Sequence, residues 1–351
     1  MNKFGKLIAL AVSAAITLAI TGCGSAATTT DSKTVSTDGK YKIVRIGSPT
    51  ADATQLCENA GIAQKLGYID EELEKVGYKA EYSGFGQGGT AVNEALSSNQ
   101  IDLAFLGDIP PIIAKSNGLD VKCVASLNKS AEVGIVVGKN TNIKSVKDLK
   151  GKKIVAAFGT VTYVYLVNIL NENGLSINDV NVINDIANGA TLVASGNADA
   201  VISTGSGIYQ FQNAGIGNIL VSSRENTELS SQFFLYGNNS YIKENKDAVK
   251  AIIKALIRSK DTAKSDPEKI YKALETKDNP ASVFKQIYPV DVGFDIFDPY
   301  LTEKSFEKFN KTAKILKDSN VVTSDVDAKD VLTTEYLDEV YKELGLDIPN
   351  E

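Results

Sequence analysis

From residue 41 to residue 127 the sequence alternates between strand-like and helix-like runs. "YKIVRIG" (41–47), "YKAEYSG" (78–84), "IDLAFLG" (101–107) and "DVKCVASL" (120–127) carry the β-branched and aromatic residues of strands. Between them, "LCENAGIAQKLGYI" (56–69), "AVNEALSSN" (91–99) and "PPIIAKSNG" (110–118) space their apolar residues as helices do. Consecutive parallel strands need a crossover, usually a helix, so this order predicts an α/β fold with a mainly parallel sheet flanked by helices. Ligands of such sheets sit at the carboxyl ends of strands, beside helix starts.

A second α/β unit follows. Ser145-x-x-Asp148 and Ser176-x-x-Asp179 are capping-box patterns, and "KKIVAAF" (152–158), "VNVIND" (180–185), "ADAVIST" (198–204) and "GNILVSS" (217–223) read as strands. "LSSNQIDLAFLG" (96–107) echoes "VASGNADAVIST" (193–204). Each has a helix end, a Ser, a turn, then an Asp (Asp102, Asp199) opening an apolar strand. The echo predicts two lobes of similar architecture. From residue 245 onward come amphipathic helices, "KDAVKAIIKALIRSKDTAKS", "PEKIYKALE", "TEKSFEKFNKTAKILKDS" and "TTEYLDEVYKEL", expected to pack mainly on the first lobe.

"FGTVTYVYLVNILNENG" (158–174) poses a conflict. Its centre is rich in strand-formers, but it opens on Gly-Thr and closes on Asn-Gly. Tyr163, Leu166, Val167 and Leu170 fall on one helical face, Gly174 suits a C-terminal stop, and "KKIVAAF" already supplies the strand. A helix over 161–172 is therefore expected, with Gly159, Thr160, Thr162 and Tyr163 at its start.

The chain has 351 residues and a formal net charge of -6, which argues against nucleic acid as a partner. Of its 37 basic residues only Arg45, Arg224 and Arg258 are arginines, so a site of several guanidinium forks is not expected. There is no histidine, which excludes Ser-His-Asp and Cys-His catalysis and removes the commonest metal ligand. Cys57 and Cys123 lack metal-ligand spacing; whether they pair is open, and two buried thiols is the simpler reading.

At the N-terminus, Lys3 and Lys6 precede the apolar run "LIALAVSAAITLAIT" (7–21), too short for a comfortable membrane span. It ends at Ile20-Thr21-Gly22-Cys23, which resembles a bacterial lipobox, although Ile stands where Leu is commoner. The resemblance implies a signal peptide over 1–22, cleavage before Cys23 and lipid on its thiol. "GSAATTTDSKTVSTDGK" (24–40) reads as a polar tether, so 23–40 would hang a folded body, starting near Tyr41, outside the membrane.

"GIAQKLGYIDEELEKVG" (61–77), "NEALSSNQIDLAFLGDIPPIIAKSNG" (93–118), "NIKSVKDLKGKKI" (142–154) and "LNENGLSINDVNV" (170–182), in this order and spacing, resemble the solute-binding lipoproteins of ABC importers. The branch is that of aliphatic sulfonate, taurine, nitrate and thiamine-precursor binders, and the resemblance covers roughly 41–345. It implies the two-lobed periplasmic-binding-protein fold (type II), with lobe 1 over 41–135 plus 238–351 and lobe 2 over 136–237. Crossover strands would lie near "VGIVVG" (133–138) and "QFFLYGN" (232–238). It also implies a monomer with no catalytic activity and no cofactor, working with a permease and an ATPase and exported, either anchored by its lipid to the outer face of the cell membrane or periplasmic. The solute it implies is a small organic anion, an aliphatic sulfonate or a taurine-like compound. Nitrate, a thiamine-precursor pyrimidine or riboflavin are the alternatives, and an enzyme on the same fold is the remote one. One departure bears on the ligand. Many sulfonate and taurine binders carry Trp-x-Pro where this chain has "STGSGI" (203–208), and this chain has no Trp.

The candidate site residues lie at strand ends. "GFGQGG" (84–89) has the form of a dinucleotide fingerprint, but a bound nicotinamide cofactor does not suit an exported protein. What remains is a backbone able to approach an anion, at Gly86, Gln87, Gly88, Gly89 and Thr90. Gly107 and Asp108 precede a Pro-Pro helix start, where Asp108 is either a helix cap or a contact to a ligand ammonium. Ser48, Thr50 and Thr54 follow the first strand, and Ser203, Thr204 and Gly205 follow the matching strand of the second lobe. The resemblance sets the Gly159-Thr160-x-Thr162 turn against the ligand's anionic group; capping alone is the other reading of those hydroxyls.

Overall fold

The computed structural model describes residues 36, 39–50, 52–277, 279–291 and 293–349. The signal segment 1–22, Cys23 and most of the tether lie outside the described residues. Among the described residues no helix is long and apolar enough to cross a membrane.

The strands, in chain order, are β1 (Lys42–Ser48), β2 (Tyr78–Gly84), β3 (Leu103–Gly107), β4 (Val121–Ala131), β5 (Val133–Gly138), β6 (Lys153–Val155), β7 (Asn181–Ile183), β8 (Ala200–Thr204), β9 (Gly217–Ser222) and β10 (Ser231–Asn238). They form two sheets with the same plan, β2-β1-β3-β10-β4 and β7-β6-β8-β5-β9. In the first, β1 runs parallel to β2 and β3, and β10 lies antiparallel between β3 and β4. In the second, β6 runs parallel to β7 and β8, and β5 lies antiparallel between β8 and β9. Each sheet thus takes its one reversed strand directly after the chain crosses from the other.

That arrangement corrects two boundaries. "VGIVVG" and "QFFLYGN" are not crossovers; they are the reversed strands β5 and β10, hydrogen-bonded on both sides. The chain changes sheet at Glu132 and over 223–230, so sheet membership switches earlier than lobe limits at 135 and 237 would place it. Apolar runs alone cannot show this, because a fully buried strand and a spanning strand read alike.

The internal echo is structural. Asp102 Oδ2 accepts from the backbone N–H of Arg45, on the neighbouring strand β1, at 2.9 Å. Asp199 Oδ2 accepts from the N–H of Lys153, on the corresponding strand β6, at 2.8 Å. Before each Asp a serine hydroxyl bonds back to the carbonyl four residues earlier, Ser98 to Glu94 and Ser195 to Thr191. The left-handed residue that turns the chain is Asn99 in one lobe and Gly196 in the other.

The helices that carry the site are α1 (Glu58–Lys65), α2 (Tyr68–Lys75), α3 (Gly89–Ser97), α4 (Ile109–Ser116), α5 (Val161–Glu172), α6 (Gly189–Ala194) and α7 (Ser206–Asn213). The run 56–69 divides into α1 and α2 at Gly67, whose φ of 75° only glycine adopts readily. Both capping boxes form, at short 3-10 turns. α5 spans the expected residues, but it buries Thr162, Tyr165 and Ile169 as well as Tyr163, Leu166 and Leu170, while Val167 is only partly covered. It is enclosed on more sides than a single stripe implies, and tertiary burial outweighs the poor local propensity of its β-branched residues.

The second sheet is buried on both faces. Val133, Ile135, Ile154, Ala200 and Ile202 pack with Tyr165, Leu166 and Leu170 of α5. Val136, Val155 and Val201 face the other way, onto Ile208 and Tyr209 of α7. This second core also takes Ile270, Tyr271, Val283, Ile287 and Phe297, so the segment 263–297 leans on the second sheet. The helices Lys246–Ser265, Glu303–Asp318 and Glu335–Leu344 lie over the first, whose core holds Ile252, Leu256, Phe309, Leu316 and Tyr341.

Candidate functional site

Two cavities open in the cleft between the sheets, and Ser231 and Phe233 of β10 line both. The wider one, about 480 Å3, is walled from the first lobe by Gln87, Gly88, Gly89, Thr90, Gly107 and Asp108. From the second lobe come Gly159, Thr160 and Val161.

Two helix starts meet at this cavity. At α5, Tyr163 N–H and Val164 N–H both bond to Thr160 O, while the N–H groups of Gly159, Thr160, Val161 and Thr162 donate to no described residue. At α3, Gly88 N–H reaches Phe85 O, while those of Gly89, Thr90 and Ala91 are likewise unpaired within the described residues. Such N–H groups and the helix dipole make an anion site without any basic side chain. The wider cavity's lining contains no Lys or Arg. Glycine is needed here for space: a Cβ on Gly89 would stand 2.3 Å from Pro110 Cγ, so nothing larger lets the start of α3 approach α4.

The threonine hydroxyls have other work. Thr160 Oγ1 donates to Ala157 O at 2.7 Å, Ala157 N–H donates to Thr162 Oγ1 at 3.1 Å, and the two hydroxyls lie 2.8 Å apart. The chain closes if Thr162 donates to Thr160, which leaves neither proton for a ligand. These hydroxyls shape the turn and free its N–H groups. The Thr90 hydroxyl and the Gln87 carboxamide, by contrast, have no hydrogen-bond partner among the described residues.

Asp108 is buried beneath the cavity. Its side chain makes no helix-cap bond; Oδ2 accepts from Thr312 Oγ1 at 3.1 Å. Burial pushes its pKa up to about 6, against the Thr312 hydrogen bond and the attraction of Lys308. A carboxyl raised on folding favours the fold while it is protonated, and that contribution is lost as pH rises from the ordinary Asp value through about 6. Asp108→Asn should therefore gain on the parent between pH 4 and pH 7, by about 2 kcal/mol at most. Denaturant melts at the two pH values check this; a difference independent of pH contradicts it.

The second cavity, about 350 Å3, joins Thr50, Cys57 and Glu58 of the first lobe to Thr204, Gly205 and Ser206 of the second, with Glu132 and Tyr288 between. Glu58 Oε2 accepts from Tyr288 Oη at 2.6 Å and from Asn128 Nδ2 at 2.8 Å. Burial raises its pKa and those two hydrogen bonds oppose the rise. Glu132 is fully engaged, by Ser222 Oγ at 2.6 Å, Tyr209 Oη at 2.8 Å and Arg224 Nη2 at 2.7 Å. Cys57 and Cys123 are both free, and no metal-binding cluster exists among the described residues.

The remaining sequence candidates line neither cavity. Ser48 is buried beside Thr50, whose hydroxyl turns back to Asp52 O, and Thr54 bonds the Asp52 carboxylate. Gly86, Thr162, Tyr163 and Ser203 are also off both linings, with the Tyr163 ring 5.0 Å from that of Phe158. Residues that sequence reasoning missed are Val161, Ser231, Phe233, Glu58 and Tyr288. Only Val161 was signalled, by its place at the predicted helix start; Tyr288 reaches Glu58 across 230 positions.

Two α/β lobes around a cleft walled by helix starts are the architecture of a periplasmic binding protein, and comparison with known proteins agrees. The solved periplasmic sulfonate-binding protein SsuA from Methylobacillus flagellatus KT is 27% identical with a TM-score of 0.78, over 88% of this chain and 96% of that one. The nitrate-binding protein NrtA from Synechocystis PCC 6803 (14% identical, TM-score 0.68) and the desulfurization enzyme DSZB (14%, 0.66) share the fold. Residues 62–270 match the family model described as NMT1/THI5 like, and the chain belongs to that family. A provisionally named aliphatic sulfonates-binding protein of Bacillus subtilis (strain 168) is 31% identical over 152 residues, 43% of this chain and 42% of that protein. Its Escherichia coli (strain K12) counterpart is 39% identical over 94 residues, 26% of this chain. The matches thus span less than half of either relative, 42% and 29% of their lengths. The arginine-binding extracellular protein ArtP of B. subtilis is 30% identical over 186 residues, 52% of this chain and 67% of its own length.

Proposed function

We propose that this protein is the extracytoplasmic solute-binding component of an ABC importer and captures a small organic anion, an aliphatic sulfonate, in the inter-lobe cleft. One observation carries the reading: unpaired N–H groups of α3 and α5, from opposite lobes, converge on one cavity with no basic side chain on its wall. A sulfonate stays ionised at physiological pH, and fixed dipoles hold it without a titrating partner. Gly88, Gly89 and Thr90 would grip it from one lobe, and Gly159, Thr160 and Val161 from the other, so that binding draws the lobes together. The solute leaves unchanged, passed to a membrane permease driven by an ATPase. Cys23, lipidated after removal of 1–22, would hold a monomer at the outer face of the cell membrane. The names of the sulfonate-binding relatives and the SsuA structure support the solute class.

The reading is tested by a thermal-shift screen of the purified protein with alkanesulfonates, 2-aminoethanesulfonate and nitrate. A rise in melting temperature with a sulfonate is expected. No shift with any of these, together with one for a pyrimidine or a flavin, would move the protein to vitamin-precursor capture. Turnover of a bound compound would make it an enzyme.

A further inference from the structure

The cavity walled by the starts of α3 and α5 carries two acidic residues, Glu94 and Asp108. Glu94 is exposed, so water weakens its field. Asp108 is 4% exposed, and its carboxylate accepts from the Thr312 hydroxyl. It makes no ion pair with any described residue. Lys308 shares with it a recess of about 20 Å3 behind the cavity, but the Lys308 ammonium donates to Thr227 O, Ser230 Oγ and Lys129 O instead. Lys311 of the same recess is exposed, and Glu228 pairs with Lys304 at 2.6 Å, which holds its carboxyl below the ordinary range. From α5 the recess receives Val161, Val164 and Tyr165, and from β10 Ser231. Burial keeps the Tyr165 hydroxyl protonated, and burial and Asp108 together do the same for the Cys123 thiol. Asp108 is thus a buried, unpaired carboxylate on the wall of a site built for an anion.

We infer that capture of the anion is coupled to uptake of a proton at Asp108, so that the site holds its solute more tightly in acid; the inference rests on the anion reading above. Two like charges on one poorly solvated wall raise each other's energy, and the group that can take a proton gives way. A sulfonate cannot, because it stays ionised, and the N–H groups at the two helix starts do not titrate. Asp108 can. Burial already pushes its pKa up to about 6, against the Thr312 hydrogen bond and the attraction of Lys308. A bound anion raises it further. A carboxyl whose pKa is higher in the complex than in the free protein favours binding below both values and loses that contribution above both. Affinity is therefore level in acid, falls as pH rises past about 6, and levels again once Asp108 is ionised in the complex too. Lys308, pulled down to about 8 by burial, stays largely charged across this window.

Calorimetric titration of the whole protein with propanesulfonate tests this. At pH 6.5, in two buffers of different ionisation heat, binding should take up about half a proton per solute. Between pH 5 and pH 7.5 the affinity should fall by roughly fivefold or more. Asp108→Asn, uncharged throughout, should abolish the uptake and hold its affinity level over that range to within about twofold. Asp108→Ser makes the same comparison if the asparagine variant does not fold. Propanesulfonate binding with no proton uptake in the parent overturns the inference and leaves the anion reading standing. Uptake that persists undiminished in the Asp108 variants also overturns it, because the proton then goes to another group. Binding of no sulfonate at any pH overturns the anion reading itself and this inference with it.

Discussion

Val161→Pro is expected to weaken sulfonate binding by roughly 10- to 100-fold, the value of one hydrogen bond to a charged group, with little change in melting temperature. Val161 is the first residue of α5, where proline is tolerated because the N–H it lacks has no helical partner. Thr160, at φ -125 and ψ 167, already has the extended backbone that a residue before proline prefers. The substitution therefore removes one N–H from the cavity wall and keeps the helix. Val161→Ala removes the side chain but keeps the N–H, and should bind like the parent. Titration calorimetry on both variants measures the difference. Parental affinity in Val161→Pro would mean that the start of α5 is not the anion contact.

Lys308→Met is expected to destabilise the protein by about 3 kcal/mol. The ammonium of Lys308 is buried where the chain passes between lobes. It donates to Thr227 O at 2.8 Å and Ser230 Oγ at 2.6 Å on one connection, and to Lys129 O at 3.3 Å at the end of β4, next to the other. Ser130 and Ser230 tie the same two segments directly, at 2.7 Å. Methionine fits the apolar stem and leaves these acceptors without their donor. Burial pulls the Lys308 pKa down to about 8, with Asp108 and Glu228 opposing. A lysine depressed in the folded state penalises the fold while it must stay charged, and the penalty lifts between pH 8 and the ordinary lysine value. The parent should therefore gain further on Lys308→Met as pH rises from 8 to 10. Chemical denaturation at pH 7, 8.5 and 10 measures both effects; a gap below 1 kcal/mol that ignores pH would refute them.

Much of this molecule was legible in its sequence because its signals are local. The capping boxes at Ser145 and Ser176, the helix over 161–172 and the helix 246–265 all follow from spacing and punctuation within a few residues. The paired serines and aspartates around 98–102 and 195–199 carried the likeness of the lobes, since each Asp side chain accepts from a backbone N–H of the neighbouring strand, Arg45 in β1 and Lys153 in β6. What was not legible depends on long-range pairing. "VGIVVG" and "QFFLYGN" read as apolar strands, and only the register with β8 and β9, or with β3 and β4, shows that each belongs wholly to one sheet.

The site divides in the same way. Helix starts at 88–90 and 159–161 could be found from Gly, Thr and the onset of helical spacing, and they meet at one cavity. The role of the threonine side chains could not, because it turns on where Ala157 and Thr162 point their polar atoms. Asp108 had a cap or a ligand contact as its two sequence readings. It makes no cap bond, and its hydrogen bond goes to Thr312, some two hundred residues along the chain. Glu58 lay inside an unremarkable "LCENAG", and it stands out only once Tyr288 and Asn128 close on one of its oxygens.

The central claim is that backbone dipoles at two helix starts hold a charged group in the cleft. Its most direct test is titration of the purified protein with propanesulfonate and with neutral propanesulfonamide, the same tail without the charge. The account predicts that the sulfonate binds at one site per chain and the sulfonamide at least about 30-fold more weakly. Equal affinity for the two, or binding of the sulfonamide alone, would contradict it.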